Sequence, residues 1–230
     1  MAQKRVSRAR KRDLEKPDEF LTLTSRVLEK FKTNWKPISL GSAVLLAILA
    51  GVLAFGYFSE RAERQAFVLL EQAMSRYTTD LSRMDASKAI EAVTPDFEAL
   101  FSKYGDRQAG AAGRLMFAQM NLRTENLETA VTQYEAAVRL FPEGTYAASA
   151  AWSGLGYAQA AIGHPERAIA AFTNIVAGQD PILKADALYQ LTLLYRKTNQ
   201  EAEYEKTLKT LREDYPDYIY AEMLPPSADG

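Results

Sequence analysis

The sequence predicts an all-α protein: a single transmembrane helix followed by a helical repeat array (α-solenoid). Three observations carry that expectation. Residues 38–58, ISLGSAVLLAILAGVLAFGYF, form a run of 21 residues without a charge. As a helix this run is long enough for the roughly 30 Å hydrocarbon core of a bilayer. Beyond it the two-residue alternation of strands is absent, Ala, Leu, Glu and Gln are abundant, and Gly and Pro fall between helical periods. Finally, one pattern of large and small residues recurs at about 111–144, 149–182 and 185–218, as expected of stacked units that cannot bury their apolar faces alone.

Residues 1–37 read as a basic cytoplasmic tail. They carry eleven Lys or Arg against five Asp or Glu, a net of +6, whereas the whole chain is −1, which leaves −7 for the rest. Positive charge in a short flank holds that flank in the cytoplasm, so the C-terminal domain is expected on the far side. The run Lys4 to Arg12, KRVSRARKR, lacks interleaved aromatics. It reads as a retention signal with some attraction for anionic lipid, not as a nucleic-acid site. After Pro17, Phe20, Leu23, Val27, Leu28 and Phe31 recur at helical spacing among Arg26, Lys30 and Lys32. This predicts an amphipathic helix over 18–34, lying in the membrane interface with Trp35 at headgroup depth or docking on a cytoplasmic protein.

The apolar run 38–58 reads as an uncleaved anchor. A cleaved signal peptide fits less well, because its apolar region is shorter and its leader is not 37 residues long. With no Cys in the chain, disulfides, thiol chemistry and thiolate-built zinc sites are excluded. Ala43, Ala47 and Gly51 form a small-residue stripe of the kind that permits close helix approach.

Residues 59–108 are expected to form an irregular helical pair. Ala62, Ala66, Leu69, Ala73, Tyr77 and Leu81 make one stripe, and the absence of Gly and Pro from 57 to 94 lets the membrane helix continue into it. Thr94-Pro95 reads as the start of a short helix bearing Phe97, Leu100, Phe101 and Tyr104.

The domain 109–224 follows. Trp152, Leu155, Gly156, Ala168 and Phe172 read W-x2-L-G, with Ala twelve after the glycine and Phe four later. This resembles the tetratricopeptide repeat, a helix-turn-helix unit in which small residues let helices A and B approach. The same register holds Phe117, Ala118, Ala130, Tyr134, Ala137 and Pro142 upstream, and Leu188, Leu191, Tyr195, Leu208, Leu211 and Pro216 downstream. The third repeat departs from it, with Thr192 and Tyr204 at the small positions. Gly163 before His164-Pro165, and Gly178 before Asp180-Pro181, read as helix ends and starts; Thr145 and Asn199 read as N-caps. A short cap is expected over 217–224 and a disordered tail over 225–230.

No paired-carboxylate motif, phosphate loop, nucleophile elbow or zincin helix is present. His164, the single histidine, sits in a turn with no second ligand beside it, and Glu125, Glu128, Glu201, Glu203 and Glu205 read as solvated faces. The expectation is a protein that is not an enzyme, with no cofactor, metal, nucleic acid or small-molecule substrate. Repeat arrays bind through a concave face. The register places Leu115, Gln119, Leu122 and Arg123 there from the first repeat, and Ser153, Tyr157 and Ala160 from the second. The third contributes Asp186, Tyr189, Leu193, Arg196 and Lys197. This mixture suits an extended peptide or a partner helix. Leu115, Gln119 and Gly154 stand where chaperone-tail-binding repeats carry a Lys/Asn carboxylate clamp, so capture of a C-terminal carboxylate in that way is not expected.

A basic tail, one span near residue 40 and a translocated tetratricopeptide domain together resemble the bacterial family of ancillary Sec-translocon subunits. The resemblance implies a single-pass inner-membrane protein with its C-terminal domain in the periplasm. It also implies protein partners: the translocon, a periplasmic chaperone or emerging envelope proteins. The alternative is a structural scaffold for cell-wall synthesis, division or outer-membrane assembly. The client and the oligomeric state are not legible.

Overall fold

A computed structural model of the chain describes residues 35–178 and 181–220. Among them eight helices follow one another and no strand occurs. They are α1 (Trp35–Leu81), α2 (Ala86–Tyr104), α3 (Gln108–Arg123), α4 (Leu127–Val138), α5 (Tyr146–Ile162), α6 (Pro165–Ala177), α7 (Lys184–Lys197) and α8 (Glu201–Asp214). The amphipathic segment 18–34, the Asp180 start signal and the tail 225–230 lie outside the described residues. The chain divides into two units, Met1–Ser59 and Glu60–Gly230.

In the first unit the apolar side chains are uncovered. Leu40, Leu45 and Leu53 are each about two-thirds exposed, at 68%, 67% and 65%. This N-terminal helix is long and apolar enough to cross a membrane.

In the second unit the remainder of α1 buries Ala66, Leu70 and Ala73, with Ala62, Leu69, Met74 and Tyr77 packed beside them. Leu81 falls outside the buried stripe, at 43% exposed. The helix stops there although neither Gly nor Pro is near. The hydroxyls of Thr78 and Thr79 donate to the Ser75 carbonyl and that of Ser82 to the Thr79 carbonyl, offering the backbone local alternatives to helix. Asp85 then begins α2 by accepting from the Lys88 amide at 3.0 Å. That bond is the main reason its carboxyl lies below the usual carboxylate range.

Pro95 does not start a helix, as the sequence suggested; it lies inside α2. Asp85 has already nucleated the helix. The apolar spacing Ala89, Ile90, Val93, Phe97, Leu100 and Tyr104 carries it through the proline by burying one continuous stripe. Two side-chain contacts tie α1 to α2: Tyr104 donates to Gln65 Oε1 at 2.8 Å, and Arg76 meets Asp96 at 2.9 Å. Glu63 reaches the N-terminus of α3, where its Oε1 accepts from the Ala109 amide at 2.8 Å and its Oε2 from the Gln108 amide at 3.3 Å. A carboxylate there satisfies amides that the helix itself leaves open.

Phe117 of α3 stacks on Phe97 of α2 with ring centroids 4.8 Å apart, which joins the α1–α2 pair to the repeats. From α3 onward each helix packs on the next. The central pair α5–α6 follows the large-small pattern closely. Ala168 and Phe172 are buried, and a Cβ on Gly156 would stand 2.7 Å from the Phe172 ring. Gly163 closes α5 in the left-handed region at φ +93°, and Pro165 opens α6.

Two expected helix starts are corrected. Asn199 is not an N-cap: it sits at φ +57° after α7, a conformation asparagine tolerates, and Gln200 precedes α8. Pro181 lies before a turn, its carbonyl accepting from Lys184, and α7 begins at that lysine. In the third repeat Thr192 and Tyr204 are both buried, and the Thr192 hydroxyl is bound to the Leu188 carbonyl of its own helix. Glu205, expected on a solvated face, is half-buried.

A candidate partner-binding groove

Thr145 caps α5 by accepting from the Ala148 amide at 3.3 Å. This fixes the phase of the helix, so Tyr146, Ala150, Ser153, Gly154 and Tyr157 share one side. They face Leu115, Gln119, Leu122 and Arg123 of α3 across a groove of about 420 Å³, closed by Tyr134 of α4 and by Leu183. The structure thus brings together six residues named from the register: Leu115, Gln119, Leu122, Arg123, Ser153 and Tyr157.

Tyr134, Tyr146, Ala150, Gly154 and Leu183 were missed. Tyr146 and Ala150 carried a signal, since the Thr145 cap puts 146, 150, 153 and 157 in one helical stripe. Tyr134 enters from helix B of the preceding repeat. Its only sequence trace is a glycine inside helix A: a Cβ on Gly154 would run into the Tyr134 ring. The asparagine of a carboxylate clamp therefore has no room at position 154.

The groove is amphipathic. Leu115, Leu122, Leu183 and three tyrosines supply apolar surface, and Gln119 and Ser153 supply hydrogen-bonding groups. Among the described residues Arg123 is its single charge. Burial lifts the Tyr134 phenol to about 12 despite the opposing pull of Arg123. Asp186 lies at the edge with both oxygens engaged: Tyr157 donates to Oδ2 at 2.8 Å and Tyr218 to Oδ1 at 3.1 Å. Burial first, and this carboxylate second, hold the Tyr157 phenol well above its ordinary range.

The other third-repeat candidates do not line this groove. Tyr189 lies among its own C-terminal tyrosines, with centroids 6.0 Å from Tyr218 and 5.8 Å from Tyr220. Leu193 packs against the cluster of Leu188, Tyr204, Leu208 and Leu211. Arg196 and Lys197 are exposed in the last turn of α7, and Ala160 packs half-buried against the core between α6 and α7. His164 Nδ1 lies 3.1 Å from Gln159 Oε1. Among the described residues no group of three His, Asp or Glu side chains could hold a metal ion.

Comparison with known families matches residues 30–179 to the tetratricopeptide repeat-like domain and residues 186–218 to the tetratricopeptide repeat. No curated protein matches. Among solved structures, the crystal structure of MamA protein is similar with a TM-score of 0.53 at 18% identity, over 66% of this chain and 76% of that one. A second MamA crystal structure gives 0.49 at 17% identity, over 59% and 74%. At 18% identity the first likeness concerns the fold alone.

Proposed function

We infer the function from one premise: the chain belongs to the tetratricopeptide repeat-like domain family. Its repeats mark it as a protein–protein interaction adaptor, in a class typically made of non-enzymatic scaffolds. We propose that the adaptor is anchored by residues 38–58 in a bacterial inner membrane, with its N-terminus cytoplasmic and its repeats in the periplasm. In this reading it is an ancillary subunit that links the Sec translocon to a periplasmic chaperone or to emerging envelope proteins. The +6 flank before the apolar run supports the orientation.

The observation that carries the binding role is the groove between α3 and α5. Its tyrosines and leucines offer large contact area with polar tips, the chemistry enriched at protein interfaces. A peptide with apolar anchors and one acidic residue opposite Arg123 is the complementary occupant.

Two experiments test the proposal. A reporter fused after Gly230 is expected to be active only outside the cytoplasm; activity inside overturns the orientation. Co-purification of the full chain after mild solubilisation is expected to recover translocon components. Leu115→Ala/Tyr157→Ala is expected to lose them with its helicity intact. Recovery of cell-wall or outer-membrane machinery instead would make the chain a scaffold for that assembly.

A further inference from the structure

A second depression, of about 530 Å³, lies between the early part of α1 in the second unit and the end of α2. Arg61, Arg64 and Lys103 supply three cations to its wall. Val68, Leu69 and Tyr104 supply apolar surface, with Gln65 and Gln72 beside them, and among the described residues no carboxylate lines it. Of the two nearest acids in sequence, Glu63 is consumed at the α3 amides, whereas Glu60 pairs with Arg64 of this wall at 3.3 Å, an exposed pair that an incoming phosphate competes with. Arg61 has no ion-pair partner among the described residues. Lys103 is held with its Nζ 5.1 Å above the Tyr104 ring. This concentration of positive charge belongs to a segment, 59–230, whose net charge is −7.

Arg61 and Arg64 follow the last residue of the apolar run, Phe58, by three and six positions. If the run spans a bilayer, those positions fall in the headgroup layer, which adds about 5–8 Å on each side of the hydrocarbon core. We propose that this depression is a binding site for the headgroup of an anionic phospholipid. The guanidinium forks of Arg61 and Arg64 take the phosphate, and Lys103 closes over it from the side away from the bilayer. The site rests on the anchoring proposed above. It differs from a diffuse basic flank in one respect: Lys103 is remote in sequence and reaches the site only through the fold.

The test uses the full chain in non-ionic detergent micelles with equal amounts of dioleoylphosphatidylglycerol and dioleoylphosphatidylcholine, with retained lipid counted by native mass spectrometry. Retention of phosphatidylglycerol over phosphatidylcholine is expected. Lys103→Gln is expected to reduce the preference about fivefold, and R61Q/R64Q/K103Q to abolish it. Lys103→Arg, and the equally charge-altering Arg83→Gln on an exposed turn, are expected to retain it. No preference, or a Lys103→Gln chain that behaves like Arg83→Gln, would overturn the site. So would displacement of the lipid by excess inorganic phosphate, which would reassign the cradle to the free ion. Flotation of the full chain with phosphatidylcholine vesicles separates the two proposals. A chain that floats without headgroup preference sinks the pocket alone; a chain that does not float sinks the anchor, and the pocket with it.

Discussion

The concave faces of the first two repeats and of the third are built on one register, yet they end in different states. Between α3 and α5 the register residues Leu115, Gln119, Leu122, Arg123, Ser153 and Tyr157 line an open groove. On α7 two of the corresponding positions are already engaged: Asp186 is tied to Tyr157 and Tyr218, and Tyr189 packs with Tyr218 and Tyr220. A repeat register states which way a side chain points. It does not state whether another part of the same chain has arrived there first.

The largest expected effect tests the frame that both regions share. Gly156→Leu forces a side chain into the Phe172 ring, only 2.7 Å from the Cβ position. It is expected to cost about 3 kcal/mol in urea unfolding, the upper part of the overpacking range, although leucine is the better helix former by up to about 1 kcal/mol. An unchanged midpoint would break the register, and with it the whole comparison.

Ending the chain after Tyr215 removes the cover from the third repeat. A stability loss of about 1–2 kcal/mol is expected from the lost ring contacts and the Tyr218 hydrogen bond. Tyr189 is expected to become several-fold more reactive to nitration. Unaltered reactivity would mean that the C-terminal tyrosines do not distinguish the two faces.

Tyr157→Phe sharpens the boundary between them. It deletes the bond to Asp186, at an expected cost of about 1 kcal/mol, but keeps the ring in the groove, so partner capture is expected to survive where Tyr157→Ala loses it. The same pair of phenols sets an alkaline signature. Tyr157 and Tyr218 are both raised above the ordinary value of 10.0, by burial first and Asp186 second. A raised native pKa means that their contribution is complete below the ordinary phenol range and is lost as pH climbs through the native values. Phenolate absorbance should therefore show a late-titrating fraction that Tyr157→Phe and Tyr218→Phe each diminish.

The smallest effect is expected from His164→Ala. It removes the 3.1 Å partner of the buried Gln159 side chain, at about 0.5–1 kcal/mol, with capture unchanged. Loss of capture would extend the functional face to the turn after α5.

Legibility followed how local each constraint was. The central repeat was readable because Gly156, Ala168 and Phe172 solve a volume problem between two adjacent helices, and volume is written in residue type. Thr145 was readable because a cap acts three residues away. Pro95 misled because a proline usually marks a start, whereas here Asp85 had started the helix ten residues earlier and the buried stripe carried it on. The break after Leu81 was hidden because Thr and Ser hydroxyls made it without a conventional breaker. The floor of the groove was half legible. Gly154 was read only as the place of an absent clamp asparagine, and only packing shows that Tyr134 fills it. The cover over Tyr189 comes from a segment 29 residues later, and no periodicity links the two.

The Glu63 carboxylate imposes an order of events. Its partners, the amides of Gln108 and Ala109, lie 45 and 46 residues further along the chain. The repeats proper close on neighbours a turn away. At a synthesis rate of roughly 5–20 residues per second, the acid waits several seconds for the helix end it will bind. Until α2 follows, Ala66, Leu70 and Ala73, which the finished protein packs with Val93, Phe97 and Leu100, stand bare. The beginning of the domain is thus made first and secured late, and the nascent chain is most in need of protection at its oldest end.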